Sequence, residues 1–219
     1  MSSEALQQFF RVVMPEFGNT LIMLGVSMVL SIFFGFVLAI VLIITKEDGL
    51  KPNRTVYKIM DFLINVVRSF PFIILVVAII PFTRALVGTS IGVAAAIVPL
   101  TIAGSATSAR LVETSLDGIP KGLVQAALAC GASTWQIVFK VLIKEAVPAI
   151  VSGFTILIVS LLGSTAMAGM VGAGGLGAVA LIYGYQSFNQ TIMYGTVIIL
   201  IILVQCIQTY GSHLYRKLK

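Results

Sequence analysis

Charge-free apolar runs, separated by short clusters of charged residues, divide this chain. From Thr20 to Ile44 no charge occurs for about 25 positions, enough to cross roughly 30 Å of hydrocarbon at about 1.5 Å per residue with some tilt. Runs of the same kind predict further spans over 57–82, 91–111, 146–167 and 192–210. The expected fold is therefore an all-α polytopic membrane protein, one transmembrane domain over residues 1–219 with five spans. A charged stretch over 115–144 lies between the third and fourth spans and has to face water or a partner. Ahead of the first span, Leu6, Phe9, Phe10, Val13 and Phe17 recur at near-helical intervals beside Glu4, Gln7, Gln8 and Arg11, which predicts an interfacial helix over Met1–Gly18.

Interruptions inside the runs carry the next layer of information. Asp61, Asn65 and Arg68 fall at i, i+4 and i+7, on one face of the second span. A charge at membrane depth is costly, so Arg68 either points into the bundle as a functional group or projects into water and pairs with Asp61 or Asn65. Pro71 should kink that helix. Arg84 to Ser90 reads as a short external loop. In the third span Gly104, Ser105, Ala106, Thr107, Ser108 and Ala109 permit close helix approach, and Arg110 with Glu113 reads as a local ion pair.

Composition agrees with the pattern: 58% of residues are hydrophobic, 10% are charged, and mean hydropathy is +1.07. The basic residues cluster at segment ends. Lys46, Lys51, Arg54 and Lys58 share one loop, Arg110, Lys121, Lys140 and Lys144 surround a second, and Arg216, Lys217 and Lys219 follow the last run. By the positive-inside rule these sites are cytoplasmic, which puts the N-terminus out and the C-terminus in. No nucleic-acid stripe is formed. Cys130 and Cys206 lack a C-x-x-C partner and His213 lacks a carboxylate or thiol companion, so neither a disulfide nor a metal site is expected. The N-terminal segment does not read as a removable signal peptide.

The stretch over 115–144 describes two short helices at a hinge. Pro120 suits a first helical turn, with Asp117 favouring the positive end of the helix dipole. Leu123, Ala126, Ala127 and Cys130 then form one small apolar stripe, and Gly131 can take the left-handed conformation that ends a helix. Ser133 and Gln136 have capping-box spacing, so a second helix starts at once with Trp135, Val138, Phe139 and Leu142 on one side. Residue pattern alone allows either an amphipathic linker on the bilayer or a docking element.

Gly172 to Gly177 fits the letters of G-x-G-x-x-G, but an apolar span precedes it and no Asp or Glu follows Glu145, which excludes a dinucleotide site. No G-x-x-x-x-G-K-[ST] loop occurs either, so energy from ATP would have to come from a partner. The same glycines, with Ser164, Met167 and Met170 before them, predict a non-helical re-entrant loop without charge. Met167 and Met170 read either as gap-filling core or as a flexible seal on a narrow path.

Gln125 to Val141 carries Q-A-A-x3-G-x9-V, which resembles the E-A-A-x3-G-x9-I-x-L-P signature of permease subunits of ATP-binding-cassette importers. Gln125 stands where the family has Glu, Ile143 where it has Leu and Lys144 where it has Pro. Ser69–Leu75, Ile80–Arg84, Val87–Gly92, Ala96–Thr101, Ala166–Gly177 and Tyr183–Tyr185 together resemble the permease of methionine importers, over nearly the whole chain. The resemblance implies a type I importer permease fold and a non-catalytic subunit translocating L- or D-methionine by alternating access. It implies a homodimer in the cell membrane, two cytoplasmic ATPases that hold ATP and magnesium, and an extracytoplasmic substrate-binding lipoprotein. Leu123, Gln125, Ala126, Ala127 and Gly131 would couple to the ATPase. Met167 would stand at the external gate, with Met170, Ser164 and Arg68 along the path. The rivals are the same assembly carrying another amino acid or a methionine derivative, a stand-alone channel or ion-coupled carrier, and a membrane scaffold.

Overall fold

The structure, a computed structural model, describes residues 3–219, with side chains from residue 9 onward. As expected, the fold is all-α. Helix α1 (Ser3–Thr45) is one uninterrupted helix of 43 residues, so among the described residues the segment before Thr20 is part of α1 and not the separate interfacial helix expected over Met1–Gly18. Pro15 lies inside it. Packing holds the helix on both sides of that proline: Val13 is buried with Leu176, Val179 and Ile192, and Met23 with Ala96, Leu100 and Leu157.

The second expected span is broken where a kink was expected. Helix α2 (Arg54–Ser69) and α3 (Phe72–Ala78) meet at 106°. Proline disfavours the helical conformation at the residue before it, and here Phe70 is extended with φ −75° and ψ 130°. Helix α4 (Ile80–Val87) occupies most of the expected external loop and ends at Gly88, whose φ is +83°. Helix α5 (Val93–Asp117) continues six residues past the expected end of its span at 111.

Helix α6 (Lys121–Ala129) is followed by α7 (Thr134–Gln136), which passes through a π-helical stretch, Ile137–Leu142, straight into α8 (Ile143–Ala168). The fourth span is thus the far end of a helix that starts at Thr134. After a second π turn, Gly169–Ala173, the chain re-enters as α9 (Gly175–Ala178) and π-helical Val179–Gln186, before α10 (Gln190–Leu218). Among the described residues, four helices are long and apolar enough to cross a membrane, and the bent pair α2–α3 makes up to five.

Small residues set the packing of α1 on α5. A Cβ on Gly104 would collide with Ser31, and one on Gly35 with Ser108, while Ser31 Oγ donates to the Thr101 carbonyl at 3.4 Å. The polar run over 104–109 is therefore a helix contact, with Ser108 and Ala109 fully buried. Charged residues at the α1–α2 and α5–α6 boundaries, Lys46, Asp48, Asp117 and Lys121, gather at one end of the bundle, the basic end. The glycine-rich turns lie at the other, where the Gly92 amide donates to the Gly172 carbonyl at 2.9 Å.

Candidate functional site

At the basic end, α6 lies on the surface of the bundle, with half-buried Val124 and Ala127 packed against the core around Leu116, Ile137 and Leu142. None of its residues is buried, and Leu123, Gln125, Ala126 and Leu128 are exposed while Ala127 is half-buried. Its stop is local chemistry. Gly131 takes φ +77°, its amide donates to the Leu128 carbonyl at 2.9 Å, and the Ala132 amide donates to the Ala127 carbonyl at 3.0 Å. That pair of bonds is a Schellman motif, which satisfies carbonyls that the helix end would leave open. The next helix opens with the expected capping box: Ser133 Oγ accepts from the Gln136 amide at 3.4 Å, and Gln136 Oε1 accepts from the Ser133 amide at 2.8 Å.

One expectation for this second helix fails. Trp135 and Phe139 are exposed and stacked, with centroids 5.9 Å apart, whereas Val138 and Leu142 are buried, so the four do not share a face. The π-helical stretch winds more residues into each turn and rotates the later positions inward.

The loop after α1 folds back onto that helix. The Lys51 amide donates to the Ile44 carbonyl at 3.0 Å and the Asn53 amide to the Thr45 carbonyl at 2.9 Å. Lys46 binds Asp117 at the end of α5 and lies 3.2 Å from Asp48, and Lys121 at the start of α6 donates to Asp48 at 2.6 Å. Lys121 and then Lys46 hold the Asp48 carboxyl down at about 2. Burial pushes the Lys46 ammonium down, but its bonds to Asp117 and Asp48 outweigh that and hold it above its usual value. Between this loop and α6 lies a cavity of about 300 Å³, which Gln125 and Leu128 help to line.

Arg68 does not pair with Asp61 or Asn65, the partners its spacing offered. It is exposed and makes no ion pair among the described residues. Asp61 and Asn65 instead meet Arg110 of α5, which pairs with Asp61, donates to Asn65 Oδ1 at 3.0 Å and donates to Glu113 at 2.6 Å. Arg110 thus makes the expected bond to Glu113 and also joins α2 to α5. Helical spacing puts residues on one face but does not say which neighbouring helix that face meets.

At the opposite end the glycines serve packing. A Cβ on Gly177 would collide with the Ala166 main chain, and one on Gly169 would come within 2.6 Å of the Ala178 amide nitrogen. The turn needs them too, because Gly172 and Gly174 take φ +92° and +77°. This contact pins α9 beside the end of α8. Met167 and Met170, 49% and 58% exposed, lie on the free side of that region, so neither fills the core of this chain. They continue a helical stripe on α8 through Ser152, Ile156, Ser160 and Gly163, all exposed, with Ser164 half-buried beside it. Ser164 Oγ bonds back to the Ser160 carbonyl at 3.1 Å.

Comparison with known proteins bears on the family and the fold. The probable D-methionine transport system permease protein of Vibrio cholerae is 46% identical over 199 residues, 91% of this chain and 88% of that one. The methionine import system permease protein of Bacillus subtilis is 42% identical over 171 residues, 78% of this chain and 77% of that one. Among solved structures, an inward-facing conformation of the MetNI methionine ABC transporter superposes over 100% of both chains with a TM-score of 0.94 at 42% identity. An amino acid ABC transporter crystallised with histidines, 16% identical with a TM-score of 0.81, shares the fold alone. Residues 31–219 match the family described as the binding-protein-dependent transport system inner membrane component, and the chain belongs to that family.

Proposed function

We propose that this chain is the membrane-spanning subunit of an ATP-driven importer of methionine, accepting the L or the D form. The observation that carries the reading is the superposition of the whole chain on a methionine ABC transporter subunit, with the surface helix α6 and its Gly131 hinge at one end. Two copies would pair through exposed faces such as the α8 stripe. Two ATPases would dock on α6 from the cytoplasm and supply the ATP and magnesium chemistry, while a substrate-binding lipoprotein delivers methionine on the other side. The gathering of Lys46, Lys51, Arg54, Lys58, Lys121 and Lys140 at one end supports a cytoplasmic basic end, hence an outer N-terminus and an inner C-terminus.

The mechanism follows from the stiffness of the parts. Closure of the ATPases moves α6, and the Schellman turn and capping box pass that motion into the long helix running from Thr134 to Ala168. Its far end carries Ser164, Met167 and Met170, free of this chain's own core and available to face a partner copy. A long unbranched thioether can seal a narrow path there and swing aside when the helices part. Leu123, Gln125, Ala126 and Ala127 contact the ATPase, and Arg68 lies at the open end of α2.

The test is purification from gently solubilised membranes. A companion protein with a phosphate-binding loop, present at equal stoichiometry and lost when α6 is deleted, supports the importer. Methionine uptake by this chain alone in liposomes would establish an autonomous channel or carrier instead. Uptake of a different amino acid by the full complex would keep the assembly and change its cargo.

A further inference from the structure

The two ends of α6 are secured in different ways. At its C-terminal end, the Schellman turn leads directly into α7 and α8. Its N-terminal end has lighter packing, the half-buried Ile119 and Val124 lying against the core around Leu116 and Ile137. No α6 residue is buried, and the cavity of about 300 Å³ separates the helix from the loop after α1. What crosses that gap is charge: Lys121 to Asp48 at 2.6 Å, Asp48 to Lys46 at 3.2 Å, and Lys46 to Asp117.

The mount for Asp48 is rigid. Three backbone bonds fold the loop onto the last turn of α1: Gly49 amide to Lys46 carbonyl, Lys51 amide to Ile44 carbonyl, and Asn53 amide to Thr45 carbonyl. Gly49 sits so close that a Cβ there would come within 2.5 Å of the Ile44 carbonyl oxygen and 2.7 Å of that of Ile43. Lys46 is the hub, its side chain only 17% exposed. Asp48 therefore moves with α1, and whatever it grips moves with α1 too.

We infer that Lys46, Asp48 and Lys121 form an ionic strut that makes α6 drive α1 as well as α8 during the transport cycle. They are positioning residues, and the inference rests on α6 being the element that meets the ATPase. Alternating charges suit the task, because an apolar contact slides freely whereas displacing one of these ions leaves its neighbour beside a like charge or none. Lys121 and Lys46 hold the Asp48 carboxyl below its ordinary value, so the strut stays charged into mild acid as well as at neutral pH.

The experiment uses the complete transporter in liposomes and reads methionine taken up per ATP hydrolysed. Wild type must first show ATP-dependent uptake; if it does not, the proposed function fails and not the strut. Given that uptake, D48N and K121Q should lower the ratio at least about fivefold, the low end of ordinary coupling between sites, while still binding the ATPase. D48E and K121R should keep it. Raising ionic strength should lower the wild-type ratio and leave that of K121Q flat. Lys121 is 76% exposed, so K121Q removes no packing. A K121Q complex that couples as tightly as wild type at every salt concentration overturns the inference.

Discussion

The carboxylate of Glu16 in α1 accepts a hydrogen bond from the backbone N–H of Gly175, 159 residues further along the chain. One turn later Thr20 Oγ1 accepts from the Leu176 amide at 2.8 Å, and Asn19 Nδ2 donates to Glu16 at 3.1 Å. A helix that starts inside a membrane protein exposes amide donors with no water to take them, and α1 supplies the acceptors. The carboxylate also sits at the positive end of the helix dipole. Glycines at 174 and 175 let the two segments approach, since a Cβ on Gly174 would come within 2.9 Å of Glu16 Oε2.

Glu16→Ala should therefore destabilise the protein by about 1–3 kcal/mol, the cost of leaving a buried donor unpaired. Glu16→Gln, which keeps an acceptor, should lose less. Thermal unfolding of the purified chain in detergent measures both, and equal midpoints for wild type and Glu16→Ala would remove Glu16 from this role.

Two glycines on the same hairpin should behave in opposite ways. At Gly177 a methyl group meets the Ala166 main chain, so Gly177→Ala should cost about 1–3 kcal/mol through overpacking. At Gly163 nothing lies within 4 Å of the added carbon, so Gly163→Leu should change the stability of a single chain by less than about 0.5 kcal/mol. If the α8 stripe pairs two copies, Gly163→Leu should instead shift the chain from dimer to monomer in light scattering.

Arg110 and Arg68 form a second contrasting pair. Removing Arg110 strands Asp61 and Glu113, whose side chains are 33% and 11% exposed, so Arg110→Gln should destabilise by up to about 3 kcal/mol. Arg68 makes no ion pair among the described residues, and Arg68→Gln should leave the unfolding midpoint unchanged. A reversed order would return Arg68 to the bundle.

The ion pairs around Asp48 have a defined pH window. Its carboxyl is depressed to about 2 from 3.8, so its contribution is present above the unfolded value and disappears as pH falls from about 4 to about 2. Lys46 is raised from 10.5, so its contribution is present below that value and is lost as pH rises through the raised one. The difference in unfolding midpoint between wild type and D48N should stay constant between about pH 5 and about pH 9 and close in acid. A difference that closes near neutrality would show that Asp48 is not held by these lysines.

Features set by local chemistry were legible in the amino-acid order. Gly131 ending α6 and the Ser133–Gln136 box opening α7 depend on neighbours only a few residues away, and both are present as expected. The apolar runs likewise announce spans, because twenty-odd residues without charge have few other uses. What escaped depends on distant partners. Nothing near Glu16 marks it as the cap of a helix beginning at Gly175. Spacing offers Asp61 or Asn65 as a partner for Arg68 on its own helix, whereas Asp61 pairs with Arg110 on another. The π-helical stretch over Ile137–Leu142 changes the winding where helical period alone puts Trp135 and Val138 on one face, and Pro71 breaks outright the helix that it is expected to kink. The candidate site divides in the same way: the shape of α6 was readable, while its ionic attachment to α1 was not.

The account stands most directly on ATP-driven methionine uptake by liposomes holding this chain with its ATPase and binding protein. Wild type should accumulate methionine only when ATP reaches the ATPase. Gly131→Leu forces a branched side chain into φ +77° at an estimated cost of about 1–2 kcal/mol, and should cut that uptake sharply while ATP hydrolysis persists. Full uptake by Gly131→Leu, or uptake by the wild-type chain without any ATPase, would contradict it.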